Sequence, residues 1–166
     1  MLAMESGGSQ GSTGSHPNNK GHPNPSVVNQ DASIHIIEDD TAYRKLLQRL
    51  FDSVHRKHFL YPCAEDFLRA YDPESPGCII TDVRLPGMSG LDLLDQLNKL
   101  PYAPPVIFLT AYGTVCMSAQ TIKAGAHDFL EKPVSEQVLL DCVHRALLRD
   151  AELRREFARR RAICAA

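Results

Sequence analysis

No apolar run in this 166-residue chain approaches the roughly 18 residues that a membrane-crossing helix needs. The opening stretch, MLAMESGGSQ, lacks a basic patch followed by an apolar segment, so no secretory signal is expected. Cysteine is scattered. Cys63, Cys78, Cys116, Cys142 and Cys164 form no C-x-x-C pair and are odd in number, which argues against a disulfide framework and against a zinc site. They read as small thiols in a reducing cytoplasm. The seven histidines show no metal-ligand spacing, and the formal net charge of -2 favours neither nucleic acid nor a membrane surface as partner. What is present is a hydrophobic content of 43%, enough for a core, in a chain of one-domain length.

The first 31 residues are rich in Gly, Ser, Asn and Pro and offer little apolar surface to offset the entropy of ordering them. They are expected to form a disordered tail, native or left over from expression. From Ser33 onward, strand and helix patterns alternate. SIHII, KHFLYP, GCIITD, PVIFLTA and HDFLEKP read as strands. TAYRKLLQRLFDSV has apolar residues at helical spacing: Tyr43, Leu46, Leu47, Leu50, Phe51 and Val54. AEDFLRAY, GLDLLDQLNKL (Leu91, Leu94 and Leu97 on one stripe) and TVCMSAQTIKAGA are further helices, the last stopped by Gly125. A long helix opens at Ser135 as N-cap. Five strands alternating with five helices predict an α/β fold: a doubly wound, five-stranded parallel sheet, flavodoxin-like, in the order 2-1-3-4-5. The expected divisions are a tail over 1–31, a domain over 32–148, and a linker-helix extension over 149–166.

In such a sheet, ligands bind outside the carboxyl ends of the strands. The first strand ends in Glu38, Asp39 and Asp40, the third in Asp82, the fourth in Thr110, and the fifth in Lys132 followed by Pro133. Parallel strands carry all of these to one edge. Adjacent carboxylates repel, and a cation relieves that repulsion. Glu38, Asp39 and Asp82 are hard oxygen donors suited to Mg²⁺. Lys132 and Thr110 suit phosphoryl oxygens. The set fits phosphoryl transfer onto a carboxylate, a reaction that is mostly positioning and charge neutralisation. Read singly, each residue has a plainer role: acids after a strand favour a helix N-terminus, and a lysine is usually solvated. Asp40 is read as a helix-start charge, Thr81 as structural, and His35, His127 and His144 as packing or surface residues.

IHIIEDD, IITDVRLPGMSGLDLL, VIFLTAYG and AGAHDFLEKP, in that order, resemble the receiver domain of two-component response regulators over about Ser33 to Leu148. The likeness is greatest to receivers of the FixJ type, from nitrogen-fixation and aromatic-degradation regulators with DNA-binding outputs. The resemblance implies Asp82 as phosphoacceptor, and Asp39, Glu38 and the Arg84 carbonyl as Mg²⁺ ligands. Thr110 and Lys132 would bind the phosphoryl group, with Ala111 offering its amide. Phe129 would be the aromatic that follows Thr110 in the switch, and the bond before Pro133 would be cis. Arg84 and Tyr112 occupy positions that govern how easily water reaches the phosphoryl group, and their bulk predicts slow hydrolysis. There are departures. Glu38 stands where Asp is commoner, Phe129 lacks a hydroxyl, and GTVCMSAQ replaces the usual Gly-Asp-x-Pro, which bears on partner choice.

The expected function is to accept a phosphoryl group from a sensor histidine kinase on Asp82 with Mg²⁺. This would switch the face of the fourth helix, fifth strand and fifth helix, to control a DNA-binding output outside this chain. The alternative is a single-domain receiver acting by phosphotransfer or protein contact. Either way it is a cytoplasmic switch rather than a turnover enzyme, without a membrane partner. Two copies would pair through that same face or through the C-terminal helix. The arginine-rich end, RALLRDAELRREFARRR, carries Asp150-to-Arg154 spacing and an apolar seam (Val143, Ala146, Leu153, Phe157) that Asp150 interrupts. It is read as a linker helix, with DNA reached only through the missing output.

Overall fold

A computed structural model describes residues 28–164. The expected tail therefore lies outside the described residues over 1–27, as do the last two residues of the extension. Val28 is 4% exposed and joins the core, so the packed body begins ahead of the expected boundary at residue 32.

Five strands, β1 (Ser33–Ile37), β2 (His58–Tyr61), β3 (Gly77–Thr81), β4 (Val106–Thr110) and β5 (Asp128–Glu131), pair in parallel in the order β2-β1-β3-β4-β5. Five helices alternate with them: α1 (Thr41–Ser53), α2 (Ala64–Ala70), α3 (Gly90–Asn98), α4 (Val115–Lys123) and α5 (Glu136–Cys164). The predicted architecture and order are observed. The three inner strands are buried at every position, as their continuous apolar runs require. The edge strands β2 and β5 are only half-buried and carry more polar residues.

Strand alternation sends successive side chains to opposite faces. Ile34, Ile36, Cys78, Ile80, Ile107 and Leu109 pack with Leu47, Leu50 and Phe51 of α1 and with Leu139, Cys142, Val143, Ala146 and Leu147 of α5. Ile37, Ile79, Val106 and Phe108 pack with Ala64 and Phe67 of α2 and with Leu93, Leu94 and Leu97 of α3. Each fully buried Ile, Leu, Val or Phe among them contributes about 2 kcal/mol by leaving water. Two residues of the expected α1 stripe fall outside it: Leu46 is 49% and Val54 39% exposed. Leu46 stands about 100° round the helix from Leu47, and Val54 lies just past the last turn. In α3, Leu93 takes the buried place expected of Leu91, which is half-buried.

Side-chain caps fix where the helices begin. Asp40 accepts from the Ala42 and Tyr43 amides at 2.9 and 3.2 Å, the helix-start role read for it. Ser89 forms a capping box with Asp92 on α3. Ser135 accepts from Val138 N at 3.2 Å at the head of α5. Gly125 ends α4 as expected.

Asp150 does not interrupt a coiled seam. It is 2% exposed and ties α5 to the end of the sheet opposite the acidic cluster. Its carboxylate accepts from Gly77 N at 3.0 Å, from the Tyr102 hydroxyl, and from Arg154 Nε at 3.0 Å. The Arg154 guanidinium goes on to donate to the carbonyls of Pro73, Glu74 and Ser75. Cys78 is a buried core thiol and Cys116 is exposed on α4. No described helix is long and apolar enough to cross a membrane.

Candidate functional site

The carboxyl ends of β1, β3, β4 and β5 meet at a cleft of about 420 Å³ lined by Glu38, Asp39, Asp40, Tyr43, Asp82, Arg84, Ala111, Tyr112 and Lys132. Register explains the convergence. Ile37 at the end of β1 pairs with Thr81 on β3, so Glu38 and Asp82 leave adjacent strands side by side. Thr110 pairs with Glu131, which sets Lys132 beside the end of β4. The Lys132–Pro133 bond is cis, as expected.

Lys132 is the hub. Its ammonium lies 2.5 Å from Glu38 Oε2 and 3.1 Å from Asp82 Oδ2. All three side chains are nearly out of solvent, so the interaction is weakly screened. Burial pushes the Glu38 carboxyl above its ordinary value, and the ion pair with Lys132 opposes the rise. Burial alone would lower the Lys132 ammonium, but Glu38 and Asp82 together outweigh it and hold it high. The lysine is therefore charged and acts as an internal counter-ion. The Lys132 ammonium also sits over the Tyr43 ring, 4.3 Å from its centroid.

The loop after β3 is held tightly. Asp82 Oδ1 accepts from Arg84 N at 3.1 Å, which orients the carboxylate. Gly90 passes so close to the Asp82 carbonyl that a Cβ there would collide with it, so the final glycine of PGMSG is a close-approach residue. Gly87 has φ +74°, and Glu65 of α2 reaches over it to accept from Met88 N at 2.7 Å. Thr110 is fully buried, and its hydroxyl accepts from Tyr112 N at 3.3 Å. The Arg84 guanidinium stacks over the Tyr112 ring at 4.3 Å, forming one wall of the cleft. Phe129, half-buried, lies against Gly113 in the loop after β4, where a Cβ would come within 3.1 Å of its ring.

Ligand atoms of Glu38, Asp39 and Asp82 lie within 4.8 Å of one another. Three hard oxygen donors around one point, open to water through the exposed Asp39, fit a small divalent cation that keeps part of its hydration. The cleft thus gathers Glu38, Asp39, Asp82, Arg84, Tyr112 and Lys132, while Thr110, buried at the end of β4, and Phe129, in β5, do not line it. In the sequence Tyr43 reads as part of the apolar face of α1; the signal for its place in the cleft is an aromatic residue one turn after the strand-end acids. Glu65 carries no signal in the sequence apart from being an acid in the first turn of α2.

Comparison with known proteins gives a consistent picture. The description of the response regulator receiver domain family matches residues 34–144. Nodulation protein W of Bradyrhizobium diazoefficiens is 41% identical over 128 residues, covering 77% of this chain and 56% of that protein. The transcriptional regulatory protein FixJ of Azorhizobium caulinodans is 41% identical over 123 residues, 74% of this chain and 58% of that one. The chain thus spans little more than half the length of these curated relatives. Among solved structures, the response regulator StyR superposes with a TM-score of 0.73 at 35% identity, covering 80% of this chain and 67% of that one. FixJ-N superposes at 0.65 and 37%, covering 71% and 94%.

Proposed function

This chain belongs to the response regulator receiver domain family, and from that footing we propose that Asp82 is its phosphoacceptor, charged by a sensor histidine kinase. The observation that carries the reading is Lys132 bridging Asp82 and Glu38 in a cleft that also holds Asp39. A carboxylate oxygen of Asp82 attacks phosphorus, and the phosphorus–nitrogen bond of the donor imidazole breaks. The imidazole leaves with the bonding pair and the aspartyl phosphate forms. Lys132 is within reach of the new phosphoryl oxygens, and Thr110 lies on the adjoining strand. Glu38, Asp39, Asp82 and the Arg84 carbonyl would hold Mg²⁺. The ion would offset the charge that otherwise keeps a carboxylate and a phosphoryl group apart.

Once phosphorylated, Asp82 would draw Thr110 and Lys132 toward the new oxygens. Phe129, against Gly113, would repack as the loop after β4 moves, changing the face of α4, β5 and α5. That face carries exposed Val115, Ile122 and Val138. Pairing of two copies there, or along α5, belongs to the same reading. The matched stretch makes up only 58% and 54% of two relatives named as transcriptional regulators, which supports a DNA-binding output beyond the receiver. In this reading the domain signals by being modified and is not a turnover enzyme. The stacked Arg84 and Tyr112 would limit the approach of water to the phosphoryl group.

The test is intact mass after incubation with Mg²⁺ and acetyl phosphate. A phosphate-sized gain in the wild type that is absent from Asp82→Asn supports the assignment. A gain in both proteins, or in neither, refutes it.

A further inference from the structure

We infer that Tyr43 is a positioning residue for Lys132, holding the ammonium at the phosphoryl site through the face of its ring. This rests on the phosphoacceptor reading above and adds a residue to it. Among the described residues, the Lys132 Nζ interacts with Glu38 Oε2 at 2.5 Å, Asp82 Oδ2 at 3.1 Å and the Tyr43 ring, whose centroid is 4.3 Å away. An ammonium carries three hydrogens. The carboxylates take two directions, and the ring closes a third.

The ring is well fixed. Tyr43 is half-buried and packs against the core beside Val134, two residues beyond Lys132. Its backbone is tied to the same strand end, because its amide donates to the capping Asp40 at 3.2 Å. The next residue, Arg44, donates to the Glu38 carbonyl at 2.8 Å. The start of α1 and the acidic strand end therefore form one unit, and the ring face comes with it.

The chemistry explains why an aromatic serves here. Lysine has four rotatable bonds and loses much freedom when held. A third carboxylate would bind the ammonium too firmly and add negative charge where a phosphoryl group must enter. An aliphatic side chain would exclude water without attracting the cation. A π-face attracts the cation, most strongly where water is excluded, yet takes no strong hydrogen bond from it. The lysine hydrogens stay free to pass from carboxylate to phosphoryl oxygen while the charge remains in place. A second cation, Arg84, stacks on Tyr112 in the same cleft, but Tyr112 is 57% exposed and Arg84 makes no ion pair there among the described residues.

The experiment compares the full chain with Tyr43→Phe, which keeps the ring, and with Tyr43→Leu and Tyr43→Met, which remove it. The first readout is the NMR shift of the Lys132 methylene protons next to Nζ, which a ring face displaces upfield. The second is the rate constant for phosphorylation by acetyl phosphate. The displacement is expected in the wild type and Tyr43→Phe and absent from the other two. Rates should fall about threefold to tenfold in Tyr43→Leu and Tyr43→Met, the range a partly desolvated cation–π contact supports, and stay within about twofold in Tyr43→Phe. Equal losses in all three variants would assign the effect to the hydroxyl and overturn the inference. An unchanged rate in a folded Tyr43→Leu or Tyr43→Met would do the same. If the wild type itself takes no phosphoryl group, the acceptor reading fails and this one falls with it. The methylene shift, which needs no phosphoryl transfer, separates those two failures.

Discussion

Lys132 and Glu38 form an ion pair at 2.5 Å with side chains only 12% and 4% exposed, joining the end of β5 to the end of β1 across two intervening strands. Asp82 shares the same ammonium. A single lysine thus does, within the protein, part of the charge compensation that the acidic cluster requires.

Replacing Lys132 with Ala removes that compensation and leaves two nearly buried carboxylates facing each other. Breaking such a pair costs roughly 3 kcal/mol, so the thermal midpoint should fall. The freed carboxylates should then draw a divalent cation more strongly. Thermal melts with and without Mg²⁺ check this: the rise on adding Mg²⁺ should be larger in Lys132→Ala than in the wild type. Equal rises would mean that the lysine and the cation do not share these ligands.

His35 predicts an acid limit to stability. It is 6% exposed among Phe59, Tyr61, Phe67 and Tyr71, and its Nδ1 lies 3.3 Å from the Tyr61 hydroxyl. Burial, with a smaller push from Lys57, lowers its pKa to about 4. Above the unfolded value near 6.5 neither state holds the proton, and the histidine is neutral with respect to folding. Between that value and about 4 the unfolded chain takes the proton and the folded one does not, so stability falls with pH by up to about 3 kcal/mol. Urea unfolding at pH 7 and pH 5 should show a steeper loss in the wild type than in His35→Phe. Parallel losses would contradict it.

Asp150 is a buried acid with three donors, and its removal leaves Gly77 N, the Tyr102 hydroxyl and Arg154 without their acceptor. Asp150→Ala should lose roughly 3 kcal/mol, and Asp150→Asn, which keeps an acceptor, less. Hydrogen exchange should quicken in α5 around Arg154 and in the loop before β3, where Arg154 donates. Unchanged exchange there would mean that the extension does not depend on this contact.

Arg84 and Tyr112 should set the lifetime of the phosphorylated form. Replacing both with Ala opens one wall of the cleft to water. We expect the lifetime to shorten by about tenfold, a barrier change of about 1.4 kcal/mol. An unchanged decay, followed by loss of the phosphate-sized mass, would refute this.

The sheet was legible because inner parallel strands must be apolar throughout, and SIHII, GCIIT and VIFLT are nearly so. The site was legible because a parallel sheet delivers every strand end to one edge, so Glu38, Asp39, Asp82, Thr110 and Lys132 needed only their order to be placed. Tyr43 escaped because an aromatic residue at helical spacing reads as core, and only the fold brings Lys132 above it. Asp150 reads in the sequence as a break in an apolar stripe because two of its donors, Gly77 and Tyr102, are far off in sequence. Leu46 and Leu91 misled for a related reason: helical spacing marks a stripe, but packing decides which of its margins is covered.

The central claim is that the phosphoryl group resides on Asp82 and nowhere else. Borohydride reduces an acyl phosphate on aspartate to homoserine, so treatment after incubation with Mg²⁺ and acetyl phosphate marks the acceptor covalently. Peptide mass mapping should find homoserine at position 82 and unmodified Asp39 and Asp40. Homoserine at another acid, or an unmodified Asp82 in a chain that gained phosphate mass, would contradict the account.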